Sequence, residues 1–143
     1  MARIKLELPE KFAVTATIPV RITDLNYGNH LGNDALLSII HEARMQFLQH
    51  YGYTELDFAG TSLIMAEVAI VYKGEGFYGD VLTIEMAAAD ISKYGFDILY
   101  KLSNQNGKAV AEAKTGMLCF DYNARKLVML PTQVIALFET KTP

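Results

Sequence analysis

The sequence lacks several features that define large classes of proteins. Cys119 is its only cysteine, so no disulfide framework can form within the chain, and a reducing compartment is expected. The N-terminal residues MARIKLELPEKF contain no apolar core of a secretory signal. No apolar run approaches the ~20 residues of a membrane span; the nearest, 63–71, is interrupted by Glu67. We therefore expect a cytoplasmic protein with no membrane partner.

Charge is also sparse, and neither sign dominates. Charged residues make up 20% of the chain, and the formal net charge is −3. Because non-specific nucleic-acid binding depends on neutralising phosphates with basic side chains, we expect no nucleic-acid partner. His30, His41 and Glu42 do not have metal-ligand spacing, and a His-Glu-x-x-His pattern is absent, so we predict no metal. No glycine-rich dinucleotide or P-loop motif is found either.

The composition is that of a chain with a large core, and a 34–51 helix is its clearest element. Hydrophobic residues make up 51% of the 143 residues, which predicts a single domain over 1–143. Asn33 is the expected N-cap, Asp34 complements the helix dipole in the first turn, and Gly52 is the expected stop. The apolar stripe of this helix recurs at helical spacing: Leu36, Ile40, Ala43, Phe47 and Tyr51.

The remainder of the chain has strand patterns and turn signals. Pro19 indicates an edge position or a bulge in the first strand, and Asn106-Gly107 indicates a hairpin. Pro131 is expected at the first position of a short helix over 132–139. In 62–73, strict alternation puts Ile64, Ala66, Val68, Ile70 and Tyr72 on one face. The predicted strands are 12–23, 62–73, 81–91, 94–103 and 108–122.

This order of elements predicts an α+β fold with a long central helix wrapped by a curved antiparallel sheet. A helix of about five turns cannot bury its apolar stripe against loops alone, and a sheet is the economical cover.

Polar groups converge in the loop 24–33, between the first strand and the long helix; we call it the pre-helix loop. Free amides at a helix N-terminus favour a developing negative charge, which is what an oxyanion hole requires. Glycines let the backbone approach a ligand closely. The same composition is also typical of a plain turn and helix cap. The residues concerned are Asp24, Asn26, Gly28, Asn29, His30, Gly32 and Asn33.

The string RITDLNYGNHLGN at 21–33 resembles the signature of the 4-hydroxybenzoyl-CoA thioesterase-like hotdog family. That signature reads approximately Asp-x-Asp-x-x-Gly-His-Val-Asn-Asn, followed by a long helix containing Glu-Ala-Arg, and here Glu42-Ala43-Arg44 stands at the appropriate distance. The match runs without a gap from Arg21 to Arg44. The motif is also similar to that of acyl-ACP thioesterases, and the stretch from Tyr72 to Asp80 resembles the family's Tyr, turn, Gly-Asp pattern.

The resemblance implies hydrolysis of an acyl-CoA or acyl-ACP thioester, with coenzyme A as part of the substrate and no separate cofactor. It implies a homodimer or a homotetramer (a dimer of dimers) in which two hotdog sheets join edge to edge and share the walls of each site. It also implies a tunnel for the pantetheine arm and an acyl pocket near the long helix. The expected substrate-binding residues are Tyr27, Gly28, Asn29, Asn33 and Tyr72.

The chain departs from the family signature at its chemical centre. The catalytic Asp of the motif is replaced by Asn26, which cannot take a proton at neutral pH but can donate a hydrogen bond to a carbonyl. Three residues could supply the base. His30 is the motif His, a residue type whose unperturbed pKa lies near neutrality. Glu42 lies on the long helix, and Asp24 lies two residues from Asn26. Each also has a structural interpretation: a hydrogen-bonding His, a solvated helical Glu and a loop-anchoring Asp.

Two other functions compete with hydrolysis. Because of Asn26, the chain could be a non-catalytic hotdog protein that binds an acyl or aromatic ligand. A hotdog dehydratase is a weaker third reading, since the Phe-Pro and Pro-Gly sequences of that branch are absent. Cys119 lies on an apolar predicted strand with no His near it in sequence, which indicates packing rather than nucleophilic catalysis.

Overall fold

A computed structural model describes residues 3–141 and shows one antiparallel sheet that packs on a long helix. The sheet has the strand order β1-β3-β4-β5-β2, with β6 paired to β5. This confirms the α+β prediction. The elements in chain order are β1 Val14–Pro19, a 3-10 turn Ile22–Asp24, α1 Asn33–His50, β2 Ser62–Tyr72, β3 Val81–Ala89, β4 Gly95–Ser103, β5 Ala109–Asp121, β6 Lys126–Leu127 and α2 Thr132–Lys141.

The core lies between α1 and the inner face of the sheet. The predicted helical stripe is buried there: Ile40, Ala43 and Phe47 are fully covered. Because strand side chains alternate, β3 and β4 direct apolar residues such as Ile84 and Ile98 into the same core. Each fully buried side chain of this size contributes roughly 1.5–3 kcal/mol relative to an exposed one. The sheet therefore fixes α1, and α1 fixes the loop that precedes it.

The second helix closes one end of the core with an aromatic cluster. Phe138 of α2 packs against Phe96 of β4 with ring centroids 4.8 Å apart and against Phe47 of α1 at 6.0 Å. Edge-to-face and tilted geometries of this kind are favourable for aromatic pairs. The cluster lies towards the C-terminal end of α1, so the other end of the helix carries the polar loop.

The strict alternation predicted for the second strand is wrong, because β2 contains a bulge. Met65 pairs with Met117 and Glu67 pairs with Gly116, so Ala66 is an extra residue. One extra residue moves every later side chain to the opposite face. Val68 consequently lies on the same face as Met65. Gly116 accommodates the bulge, since a Cβ at that position would lie 2.7 Å from the Glu67 Cγ.

The ends of the first strand and the long helix also differ from the prediction. The expected Asn33 N-cap is wrong: Gly32 is the N-cap, with extended φ −78° and ψ 155°, and no side chain caps the helix. The first strand ends at Pro19 on the edge of the sheet, as predicted for a residue that cannot donate a ladder hydrogen bond. Residues 22–23, predicted as the end of the strand, lie in the 3-10 turn Ile22–Asp24 instead.

The C-terminal part adds an element that the sequence analysis did not predict. Directly after the turn at residues 122–125, Lys126–Leu127 pair with the end of β5 as β6. Pro131 directly precedes α2 rather than beginning it, and its carbonyl accepts from the Val134 amide. Within the described residues, neither helix is both long and apolar enough to cross a membrane.

Candidate active site

The pre-helix loop folds into a tight hairpin. The Asn26 amide donates to the His30 carbonyl at 2.9 Å, and the Asn29 amide donates to the Asn26 carbonyl at 3.0 Å. Asn29 adopts φ 62°, a left-handed conformation that Asn tolerates better than most residues. The Leu31 amide then donates to the Gly76 carbonyl at 2.7 Å, which ties the loop to the turn between β2 and β3. The tip therefore has a defined shape.

Asn26 and His30 meet at Gly28. The Asn26 Oδ1 accepts from the Gly28 amide at 2.8 Å, so the Nδ2 of the same side chain remains a donor. A Cβ on Gly28 would lie 3.2 Å from both the Asn26 Oδ1 and the His30 Nε2. The glycine at this position therefore lets an amide and an imidazole lie side by side.

A carboxylate that the sequence analysis did not place in the site lies on the other side of Asn26. A Cβ on Gly32 would lie 2.9 Å from the Asp34 Oδ1 and 3.5 Å from the Asn26 Cβ. Asp34 was interpreted only as a complement to the helix dipole, because an acidic residue in a first turn is common. The structure shows that its carboxylate turns back towards the N-cap. Asn26 is thus flanked by His30 and Asp34.

The N-terminus of α1 opens at the same place. Since Gly32 has no side chain and no other side chain caps the helix, the amides of the first turn remain available to an acceptor. The positive end of the helix dipole adds to their attraction for an anion. The site therefore combines oxyanion donors, a fixed amide, an imidazole and a carboxylate.

Asp24 has a structural partner. It is 4% exposed, and its carboxylate accepts from the Arg21 amide at 2.8 Å and from the Arg21 Nη2 at 3.2 Å. The hydrogen bond and the charge of Asp24 raise the pKa of Arg21. Both oxygens are directed to Arg21, so the geometry supports the loop-anchoring interpretation of Asp24 over the base.

Glu42 lies away from the loop. It is exposed on α1, about 13 Å of helix rise beyond Asn33, and its carboxylate accepts from the Gln46 Nε2 at 2.9 Å. It also lines a cavity of about 270 Å³ with residues of β1 and α1, such as Ile18 and Ile39, and with Arg21, which follows β1. The structure does not bring Glu42 together with Asn26 in one chain.

The expected substrate-binding residues form two exposed groups. The tip of the loop consists of Tyr27, Gly28 and Asn29, and the Tyr27 side chain projects fully into solvent. Asn33, the first residue of α1, is also exposed. Tyr72 is half-exposed at the end of β2, the strand whose following turn holds Leu31 through Gly76. These groups present aromatic and amide surface next to the uncapped helix.

Cys119 is separate from this site. It is fully buried on β5, and burial raises the pKa of its thiol to about 11. The thiol therefore stays protonated at neutral pH, which matches the packing role expected from the sequence.

Solved structures with the same fold include two named as thioesterases and one in complex with CoA. Slr0204 of Synechocystis, a 1,4-dihydroxy-2-naphthoyl-CoA thioesterase, is 20% identical, with a TM-score of 0.77 over 87% of this chain and 93% of that one. The protein SAV2348 of Staphylococcus aureus, solved in complex with CoA, is 18% identical, with a TM-score of 0.81 over 97% and 90%. The gentisyl-coenzyme A thioesterase BH1999 is 15% identical, with a TM-score of 0.76 over 85% and 99%. These likenesses define a hotdog fold.

The family is given by the sequence itself. Residues 20–138 match the family model described as the thioesterase-like superfamily, and the chain belongs to that family. No sequence among curated proteins matches it. Family membership confirms the resemblance noted for residues 21–44 and supports acyl thioester hydrolysis as the general activity.

Proposed function

We propose that this protein hydrolyses acyl-CoA thioesters at the junction of the pre-helix loop and α1. The observation that carries the proposal is the position of Asn26, which lies between the His30 ring at Gly28 and the Asp34 carboxylate at Gly32, the uncapped N-terminus of the helix. A thioester carbonyl placed there would meet backbone donors, an amide donor and two groups able to take a proton. Acyl-ACP is the other carrier consistent with this chemistry.

The reaction divides among these groups as follows. Water attacks the thioester carbon and a C–O bond forms, while the first-turn amides of α1 and the Asn26 Nδ2 stabilise the negative oxygen. The proton of the water passes to His30 or Asp34. The C–S bond then breaks, and the same group returns the proton to the leaving thiolate. Asn26 polarises and positions, and the base lies beside it.

A second copy of the chain would complete the site. β2 is an edge strand of 11 residues whose free edge carries exposed apolar side chains, including Met65, Val68 and Tyr72. A long apolar edge in solvent favours pairing with another strand. Antiparallel pairing of two β2 strands would bring the partner against Tyr72 and the loop beyond it. We propose a homodimer formed in this way, with the homotetramer as a further association of dimers.

Light scattering of the natural chain and of the Val68→Lys variant tests the proposed dimer. A dimeric natural chain and a monomeric variant would support edge pairing, and an equal mass for the two proteins would contradict it.

The hydrolytic activity is tested by thiol release from a panel of aliphatic and aromatic acyl-CoAs. We expect turnover by the natural chain and a loss of about 10²-fold or more in kcat/KM when the base is removed. His30→Gln and Asp34→Asn identify the base, and Glu42→Gln, at a position that bonds only Gln46, is the matched control. No turnover with any substrate contradicts the proposal.

The second candidate function is ligand binding without turnover, and Asn26 is the observation that favours it. A ligand that binds only the native state raises the melting temperature. Stabilisation by an acyl-CoA that is recovered intact would support binding alone. Thiol release at a rate that depends on His30 or Asp34 would exclude it.

A further inference from the structure

A buried cation lies on α1 beyond the proposed catalytic groups. Arg44 is 5% exposed, and its Nε donates to the Glu55 Oε1 at 3.2 Å. The His41 Nε2 lies 2.9 Å from the same Glu55 oxygen. On its other side, the Arg44 Nη1 is directed at the Met65 Sδ at 3.8 Å. These contacts join the middle of the long helix to the segment that follows it and to the edge strand β2.

A cavity opens in front of this cation. It has a volume of about 330 Å³ and is lined by Leu37, Ser38, His41, Arg44 and Met65; we call it the Arg44 cavity. Leu37 and Met65 give it apolar walls, and the other three residues give it polar groups. A mostly apolar cavity of this size with a few convergent polar groups is typical of a small-ligand pocket.

The Arg44 cavity lies further along α1 than the proposed thioester position. Ser38 lies about 7.5 Å of helix rise beyond Asn33, and His41 lies one turn further. The His41 and Arg44 side chains contact Glu55 and Met65, so both lie at the cavity and not at the helix N-terminus. An acyl group bound at the helix N-terminus can therefore extend along α1 into this cavity.

One N–H group of the Arg44 guanidinium has only a weak acceptor, the Met65 sulfur, which a ligand oxygen could replace. A thioether sulfur is a weak acceptor, and a buried guanidinium N–H is costly to leave poorly bonded. The Glu55 Oε1 accepts from the Nε at 3.2 Å, and the buried Tyr100 hydroxyl, which is hydrogen-bonded to the Thr115 Oγ1 at 2.7 Å, also forms a hydrogen bond with the guanidinium. A ligand oxygen in the cavity would replace the weakest contact of the guanidinium.

The charges around the cavity indicate what kind of oxygen fits. Arg44 and Glu55 cancel, and Ser38, Tyr100 and Met65 add no charge near neutrality. A ligand carboxylate in the cavity can accept hydrogen bonds from the Arg44 guanidinium and from the His41 ring, both of which line it. A carboxylate also matches the planar donor geometry of arginine.

We propose that the Arg44 cavity binds the far end of the acyl group and that Arg44 and His41 select acyl groups ending in a carboxylate. The substrates are then the coenzyme A half-thioesters of short dicarboxylic acids. The inference rests on the proposed hydrolysis for its catalytic readout. Arg44 and His41 act here as specificity-determining residues, since they are directed at the distal end of the acyl group and not at the thioester.

Length-matched substrate pairs test the proposal: succinyl-CoA with butyryl-CoA, glutaryl-CoA with valeryl-CoA, and adipoyl-CoA with hexanoyl-CoA. We expect kcat/KM to favour the carboxylate in at least one pair by about tenfold, the order of one charge-assisted hydrogen bond. Arg44→Met should abolish the preference and Arg44→Lys should keep part of it. His41→Gln, at an exposed position, should reduce the preference without unfolding the chain.

Equal rates within every pair would overturn the inference. So would a His41→Gln variant that slows all substrates alike, because that result would assign His41 to the chemistry. A binding assay separates this inference from the hydrolytic proposal: free glutarate or adipate should raise the melting temperature of the natural chain more than valerate or hexanoate, and Arg44→Met should lose the difference. Dicarboxylate binding without turnover would support the carboxylate site in the Arg44 cavity and refute the proposed hydrolysis. Turnover that shows no preference for carboxylate-ended acyl groups, in a protein that binds no free dicarboxylate, would support the hydrolysis and refute the selection by the Arg44 cavity.

Discussion

Replacing Gly32 by Ala tests whether the N-terminus of α1 is where the reaction occurs. The new Cβ would lie 2.9 Å from the Asp34 Oδ1 and 3.5 Å from the Asn26 Cβ. Gly32 has φ −78° and ψ 155°, which Ala adopts freely, so the backbone is not strained. The methyl group instead displaces the Asp34 carboxylate and covers part of the first-turn amides.

The expected cost in stability is small. Ala is a poorer N-cap than Gly by several tenths of a kcal/mol, and moving an exposed Asp side chain off its rotamer costs about 0.5–1.5 kcal/mol. We therefore expect the free energy of unfolding to fall by about 1 kcal/mol, which corresponds to about 3 °C in melting temperature for a chain of this size. The expected loss in kcat/KM is much larger, about 10²-fold, because a misplaced base and blocked oxyanion donors act together.

Two measurements on the purified variant decide the prediction: urea unfolding and thiol release from the best substrate of the natural chain. Gly28→Ala is a useful companion, because its Cβ would instead press on Asn26 and His30. Natural activity in Gly32→Ala would refute the placement of the thioester at the helix N-terminus. Destabilisation above about 3 kcal/mol would show that the substitution perturbs the fold. The activity of Asp34→Asn would then be the measurement that tests the placement of the thioester.

Two further predictions concern the fold. In Gly95→Ala the new methyl group would overlap the Met117 carbonyl oxygen, a backbone atom of a central strand that cannot move cheaply, so we expect a loss of about 3 kcal/mol in urea unfolding; a loss under 1 kcal/mol would contradict the strand register. The pKa of Cys119 is raised from 9.0 to about 11 by burial, so its stabilising contribution is present below pH 9 and is lost as the pH rises to about 11. The unfolding free energy of the natural chain should fall more steeply over that range than that of Cys119→Ala, and parallel curves would contradict the burial of the thiol.

Much of the fold is encoded locally and could be predicted. The stripe of Leu36, Ile40 and Phe47 has only one economical partner, a sheet, and the turn at Asn106-Gly107 indicates antiparallel pairing. The bulge at Ala66 could not be predicted in this way, because it depends on Gly116 in a strand about fifty residues later along the chain. Strict alternation within one strand carries no information on the register of its partner.

The candidate site shows the same division. The motif identifies the pre-helix loop, and the structure gathers Asn26, Gly28 and His30 there as its spacing suggests. Asp34 was missed because its role depends on a side-chain direction that follows from the missing cap at Gly32. Glu55 and Arg44 were missed because they meet only after the chain turns back from α1 to β2. Three-dimensional proximity of this kind leaves no local pattern in a sequence.

The most direct test of the central claim exchanges the position of the base within the site. Thiol release from the acyl-CoA panel would be measured for the natural chain, for His30→Gln/Asp34→Asn, and for that double variant with Asn26→Asp added. Asp is isosteric with Asn26 and can accept the same Gly28 amide, so the loop should keep its shape. We predict turnover by the natural chain, loss of turnover in the double variant, and recovery when the carboxylate is restored at position 26. Absence of turnover in all three proteins would contradict thioester hydrolysis at this loop.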